Sequence, residues 1–154
     1  MVAPRVRGSR SRLRLARMVA VLVIDENIVH RVATELSERG RPATSVQSQR
    51  WKGRQDGPLI DKIIEKYGNE AILVTADNQM SADHPGDVAK LRVAIVDPLR
   101  PNGYSLVQWR RDVVHRWAHF MQEQPLGTVR RYGLTNRAWT LRTRRSARRL
   151  RSGP

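Results

Sequence analysis

Short, unbroken apolar runs alternate along the chain with segments whose apolar residues recur every three or four positions. Val19–Ile24, Ala71–Thr75 and Val93–Val96 are the unbroken runs. A strand with one wet face shows alternation, so solid β-branched runs predict strands covered on both faces. Pro42–Gln47 is a weaker strand candidate. Three helical patterns lie between and after these runs. The first carries Ile28, Val32 and Leu36 in one stripe, with Asn27 placed to cap it and Gly40 to stop it. The second opens at Asp56-Gly57-Pro58, a capping acid followed by a first-turn proline, and shows Leu59, Ile60 and Ile63 before Gly68-Asn69. The third has Leu106, Trp109, Val113, Trp117 and Phe120 or Met121 at helical steps. Residues 48–57 and 78–87 read as polar loops, with a short helix over Asp87–Leu91. Gly127–Thr143 alternates loosely about a Gly133–Asn136 turn and reads as a hairpin.

Strands alternating with helices predict a parallel sheet with helices on both faces. The expected fold class is α/β: a three-layer α/β/α sandwich on a small, mainly parallel sheet, followed by a C-terminal helix and hairpin. A chain of 154 residues suits one domain. Its expected parts are a basic arm over 1–17, an α/β core over 18–100, the helix and hairpin over 101–142 and a basic tail over 143–154.

Charge changes this picture because it is uneven. The net +15 comes from both ends: residues 1–17 hold six arginines and no acid, and residues 101–154 hold 12 arginines against Asp112 and Glu123. Residues 18–100 hold 11 basic and 12 acidic side chains. Arginine's planar fork suits bidentate contact with phosphate, so a polyanionic partner is expected. The cluster over 137–151, including Arg142, Arg144 and Arg145, suits RNA or an acidic protein partner. Without cysteine there is no disulfide, zinc thiolate or cysteine nucleophile. That composition fits a reducing cytoplasm. No apolar stretch approaches the roughly 20 residues of a membrane span. The arm before Met18 resembles a targeting peptide only superficially, since its apolar run is short and ends in Asp25-Glu26.

The acids of the centre sit where chemistry is expected. Three strand candidates finish in aspartate: Ile24-Asp25-Glu26, Thr75-Ala76-Asp77 and Val96-Asp97. Parallel strands put those ends on one edge, the edge where open α/β sheets bind ligands. Gathered carboxylates repel one another unless a cation neutralises them, and a hard divalent ion such as Mg²⁺ or Mn²⁺ takes oxygen ligands. The competing explanation is that polar residues commonly follow strands as the chain turns into water. Asp56 has a sufficient role as a helix cap, and Asp61 is expected to face water.

The run Val21-Leu22-Val23-Ile24-Asp25-Glu26-Asn27, the helix stopped at Gly40, Asp56 opening the next helix, and Leu73-Val74-Thr75-Ala76-Asp77 together resemble the PIN-like superfamily. The likeness is to its compact branch, found among toxins of bacterial toxin–antitoxin pairs, and it covers about residues 19–98. It implies a metal-dependent endoribonuclease with Asp25, Asp56 and Asp77 as catalytic and metal-binding acids and Mg²⁺ or Mn²⁺ as cofactor. It also implies RNA as substrate, an acidic antitoxin as partner and compatibility with a homodimer. Where the family commonly shows another acid or an aromatic after Asp77, this chain has Asn78-Gln79-Met80, which leaves Glu26, Asp83 and Asp97 as further metal candidates. Arg50, Lys52 and Arg54 are expected to hold RNA, with Trp51 among them either stacking on a base or packing on the sheet edge.

Two readings from other classes compete. A phosphoacceptor receiver domain shares an acidic pair after its first strand, but needs a lysine after its last strand and a further β–α unit. A non-catalytic nucleic-acid-binding protein needs only the arginine-rich ends. His115 and His119 have the spacing of helical zinc ligands, with no third ligand evident.

Overall fold

The computed structural model describes residues 20–53, 55–134 and 138–140. Strands β1 (Leu22–Ile24), β2 (Ala43–Ser45), β3 (Ile72–Thr75), β4 (Arg92–Val96), β5 (Val129–Tyr132) and β6 (Ala138–Thr140) form one sheet in the order β2-β1-β3-β4-β5-β6. The first five in that order run parallel, and β6 pairs antiparallel with β5. Helices α1 (Arg31–Glu38), α2 (Asp56–Tyr67), α3 (Met80–Asp83), α4 (Pro85–Val88) and α5 (Leu106–Gln122) lie between the strands.

Strand alternation divides the core in two. Leu22, Ile24, Ile72, Val74, Ala94 and Val96 pack with Val32 and Leu36 of α1 and with Trp109, Val113, Ala118 and Met121 of α5. Val23, Leu73, Val93 and Ile95 pack on the opposite face with Leu59, Ile60 and Ile63 of α2, Met80 of α3 and Val88 of α4. Every residue of β1 and β3 is buried. The α/β class and an arrangement in layers around a parallel sheet are therefore present.

Several local expectations need correction. Asn27 does not cap α1: that helix starts at Arg31 after His30, and the Asn27 side chain is bound elsewhere, as described below. Asp56 is the first residue of α2, not its cap, which is Gln55. The 78–87 loop folds into two single turns, α3 and α4, because burial of Met80 and Val88 fixes each against the sheet. The helix expected over Asp87–Leu91 is the turn Pro85–Val88. In α5, Met121 is the buried partner and Phe120 is exposed. The expected hairpin is the β5–β6 pair, but β5 also extends the parallel sheet alongside β4, which a local turn signal does not reveal.

Helices α1 and α5 are tied by one partly buried acid. Glu35 Oε2 accepts from Arg111 Nε at 3.1 Å and Nη2 at 2.9 Å, and lies 2.8 Å from His115 Nε2. His115 is thus held by a carboxylate, and His119 faces Glu123 one turn on, so the pair does not form a shared metal site. Burial by itself raises the Glu35 pKa, but hydrogen bonds and charge from Arg111 and His115 outweigh it and hold the group below its ordinary value. A depressed carboxylate stabilises the fold above its ordinary pKa and loses that contribution as pH falls through the depressed value. Glu35→Gln is accordingly expected to cost about 1–2 kcal/mol at pH 7. In chemical denaturation, its deficit against the wild type should shrink towards zero as pH drops below the normal carboxylate range.

Candidate active site at the carboxyl edge of the sheet

The site is built where β1 and β3 part. Chain connections leave β1 on one side towards β2 and arrive at β3 on the other, which makes the carboxyl ends of these neighbours the switch point where open α/β sheets bind ligands. Asp25 follows β1 directly and is 6% exposed; its N–H still belongs to the ladder, donating to Val74 O at 2.9 Å. Its Oδ2 accepts a 2.6 Å hydrogen bond from the Thr75 hydroxyl, and its Oδ1 accepts from Glu26 N at 2.8 Å. Thr75 Oγ1 in turn accepts from Asn27 Nδ2 at 3.2 Å and from Asp77 N at 3.1 Å. With those donors occupying its lone pairs, the hydroxyl proton is directed at Asp25.

Asn27 closes the arrangement. Its Oδ1 accepts from Ala76 N at 3.0 Å, and its backbone carbonyl accepts from Arg110 Nη1 at 2.7 Å. The loops after β1 and β3 are thus fastened to each other and to α5. Neither Asn27 nor Thr75 nor Arg110 was singled out from sequence for this role. The only signal was that Asn27 and Thr75 stand two residues from Asp25 and Asp77, within the same motifs.

The remaining candidates fall into three groups. Asp77 is half-buried, and its Oδ1 accepts from Gln79 N at 2.9 Å, an Asx turn that shapes the loop after β3. Asp97 is 5% exposed, with Oδ1 accepting from Leu99 N at 2.9 Å, while its carbonyl receives the buried Trp109 indole N–H at 2.7 Å. Gly133, after β5, lies beside this carboxylate, and a Cβ there would sit 3.5 Å from Oδ2. Glu26 faces away from Asp25: it is exposed and its Oε2 accepts from Gly53 N at 3.0 Å, pinning the 46–53 turn to the end of β1. Asp83 and Asp61 are exposed.

Arg50 and Lys52 project into solvent from that pinned turn. Arg50 has φ of 60°, in a region costing a non-glycine residue roughly 1–2 kcal/mol, and Gly53 at φ of 80° completes the turn without that penalty. Trp51 is only 8% exposed and packs with Val46 and Ile60, so burial in the core removes it as a stacking platform. The carboxylate of Asp56, Arg54, and Arg142, Arg144 and Arg145 lie outside the described residues. Among the described residues no three histidine or acidic side chains gather as a metal site. What is assembled is the Asp25 carboxylate on the Thr75 hydroxyl, with Asp77 joined to that hydroxyl through its backbone N–H while its carboxylate accepts from Gln79 N, and Asp97 following the next strand, β4.

No protein-family model, curated protein or solved structure matches the chain. Among the described residues no helix is long and apolar enough to cross a membrane.

Thr75→Val keeps the shape of residue 75 but leaves the buried Asp25 carboxylate short of a donor. It is expected to lower unfolding free energy by about 1–3 kcal/mol, while Thr75→Ser restores most of the loss. Equal stability of the valine and serine variants in denaturant titrations would show that this bond carries nothing.

Proposed function

We propose that the chain is a PIN-like, metal-dependent endoribonuclease whose working edge is the carboxyl end of β1, β3 and β4. The observation that supports this reading most is the Asp25–Thr75–Asp77 unit, in which residues 50 apart in sequence meet at the switch point of a parallel sheet. The donor set is all oxygen, which fits Mg²⁺ or Mn²⁺ and disfavours softer ions. In this reading Asp25 and Asp77 hold the ion, and Asp56, heading α2, joins them directly or through water. A bound divalent ion supplies Lewis acidity and an activated water for phosphodiester hydrolysis. Thr75 and Asn27 fix the Asp25 rotamer, so the carboxylate does not have to reorganise when a cation arrives. Asp97 is the favoured fourth acid over Asp83, because it is buried on the strand next to β3 whereas Asp83 is exposed. In this reading the exposed Arg50 and Lys52, on the turn that Glu26 pins, hold the RNA backbone.

The strand order β2-β1-β3-β4-β5 is also that of flavodoxin-like and receiver folds, and β5 supplies the extra unit such a fold needs. Yet β5 is followed by Gly133-Leu134, with no lysine. The receiver reading lacks the residue that would contact an acyl phosphate.

Cleavage of a labelled RNA in Mn²⁺ tests the proposal. Asp25→Asn and Asp77→Asn are expected to slow it by on the order of 100-fold or more, with RNA binding retained. Asp97→Asn should fall similarly and Asp83→Asn should stay near wild type. A wild-type protein that binds RNA and never cuts it with Mn²⁺ or Mg²⁺ would refute the nuclease.

A further inference from the structure

The 46–53 turn and α2 border a second concave surface. It is a cleft of about 430 Å³ lined by Gln49, Trp51, Lys62, Glu65 and Lys66. That volume lies within the roughly 300–1,000 Å³ of small-ligand sites. None of Asp25, Asp77 or Asp97 lines it, so it is separate from the site described above.

Helical spacing puts two cations there. Lys62 and Lys66 are four residues apart in α2, so they leave the same face of the helix, about 6 Å apart at Cβ. Lys66 forms no ion pair among the described residues. Instead its Nζ donates to Gln49 Oε1 and lies 5.6 Å from the centre of the Tyr67 ring. Lys62 stands 3.6 Å from Glu65 Oε2, an exposed pair that a better-matched anion can displace.

Gln49 and Trp51 form the opposite wall. The Gln49 amide donates to Thr44 Oγ1 and to the Tyr67 hydroxyl, at 2.9 Å each, which fastens the turn to β2 and α2 together. Trp51 is 8% exposed, so it offers the cleft an edge and not a face. Between the two stands Arg50, the one non-glycine residue with positive φ among the described residues. Strain of that kind persists only where the surroundings fix it, and here it sets the directions in which Gln49 and Trp51 leave the turn.

We propose that this cleft binds the 5′-phosphate end of a nucleotide, free or at the start of an RNA chain. Two ammonium groups on one helix face supply point charges for the terminal oxygens of a phosphomonoester dianion. Glu65, exchanged from Lys62, accepts from the ribose hydroxyls, the contact an acid makes in dinucleotide sites. The base then lies along the edge of Trp51. None of the acids at the strand ends takes part, so the inference does not require the nuclease reading to hold.

The test titrates the full chain with AMP and follows the heat of binding, with EDTA present to keep metal from the acidic edge. A saturable isotherm with Kd of about 0.1–1 mM is expected. Adenosine and inorganic phosphate should each bind at least about tenfold more weakly. Joint replacement Lys62→Ala and Lys66→Ala should weaken AMP by about tenfold or more, with the circular dichroism spectrum unchanged. Glu65→Ala should erase the preference for AMP over 2′,3′-dideoxy-AMP. The trinucleotide pApApA separates the sources: tighter binding than AMP marks an RNA end, and weaker binding marks a free nucleotide. No saturation by about 5 mM AMP overturns the proposal. So does inorganic phosphate binding as well as AMP, which marks an unselective cationic patch. Unchanged AMP affinity in the double lysine variant also overturns it, because binding then lies elsewhere on the chain. RNA cleavage in Mn²⁺ is scored separately, so failure here and failure of the nuclease are distinguishable.

Discussion

Burial of a parallel sheet on both faces is the constraint from which the rest of this structure follows. Backbone pairing of β1, β3 and β4 leaves their side chains pointing alternately into two helical layers, and each layer has to be apolar. Because crossovers return the chain to the same end each time, every parallel strand delivers its following residue to one edge. Val23, Leu73, Val93 and Ile95 share a face; two residues beyond Val23 and Leu73, Asp25 and Thr75 lie level with each other and with Ile95, and Asp97 follows two residues further along β4's direction. Polar groups collect at that edge as a geometric result of apolar packing elsewhere.

Collection is not organisation, and the organisation comes from a few directed bonds. The Thr75 hydroxyl is held between donors and aimed at Asp25, and Asn27 reaches back to Ala76 while α5 reaches Asn27 through Arg110. The same α5 is locked to α1 by Glu35 and donates the Trp109 indole N–H to the Asp97 carbonyl. One long helix thus braces the ends of both β1 and β4. A buried carboxylate such as Asp25 needs this support, since desolvation without partners costs several kcal/mol.

Electrostatically the protein is a nearly neutral body flanked by two arginine-rich ends. The acids all lie within residues 25–123, and three of them, Asp25, Asp77 and Asp97, follow parallel strands at one edge of the sheet.

The amino-acid sequence by itself determined the elements with strong periodicity and the aspartates at strand ends. Solid apolar runs have one physical explanation, two-sided burial, and a 3.6-residue stripe has another, so the existence and type of β1, β3, β4, α2 and α5 were readable, while their ends were not: the β1 run Val19–Ile24 pairs only over Leu22–Ile24. Local turn chemistry was read less well: Asn27 and Asp56 carry the composition of helix caps, yet Asn27 gains more from Ala76 and Thr75 than from an N–H of α1. For Trp51 both stacking on a base and packing on the sheet edge were open, and it is buried, because only packing decides whether an aromatic in a polar loop turns inward. Strand order, the parallel entry of β5 and the Thr75–Asp25 bond were decided by tertiary structure alone. These depend on contacts between residues tens of positions apart, for which a single sequence holds no periodic signal.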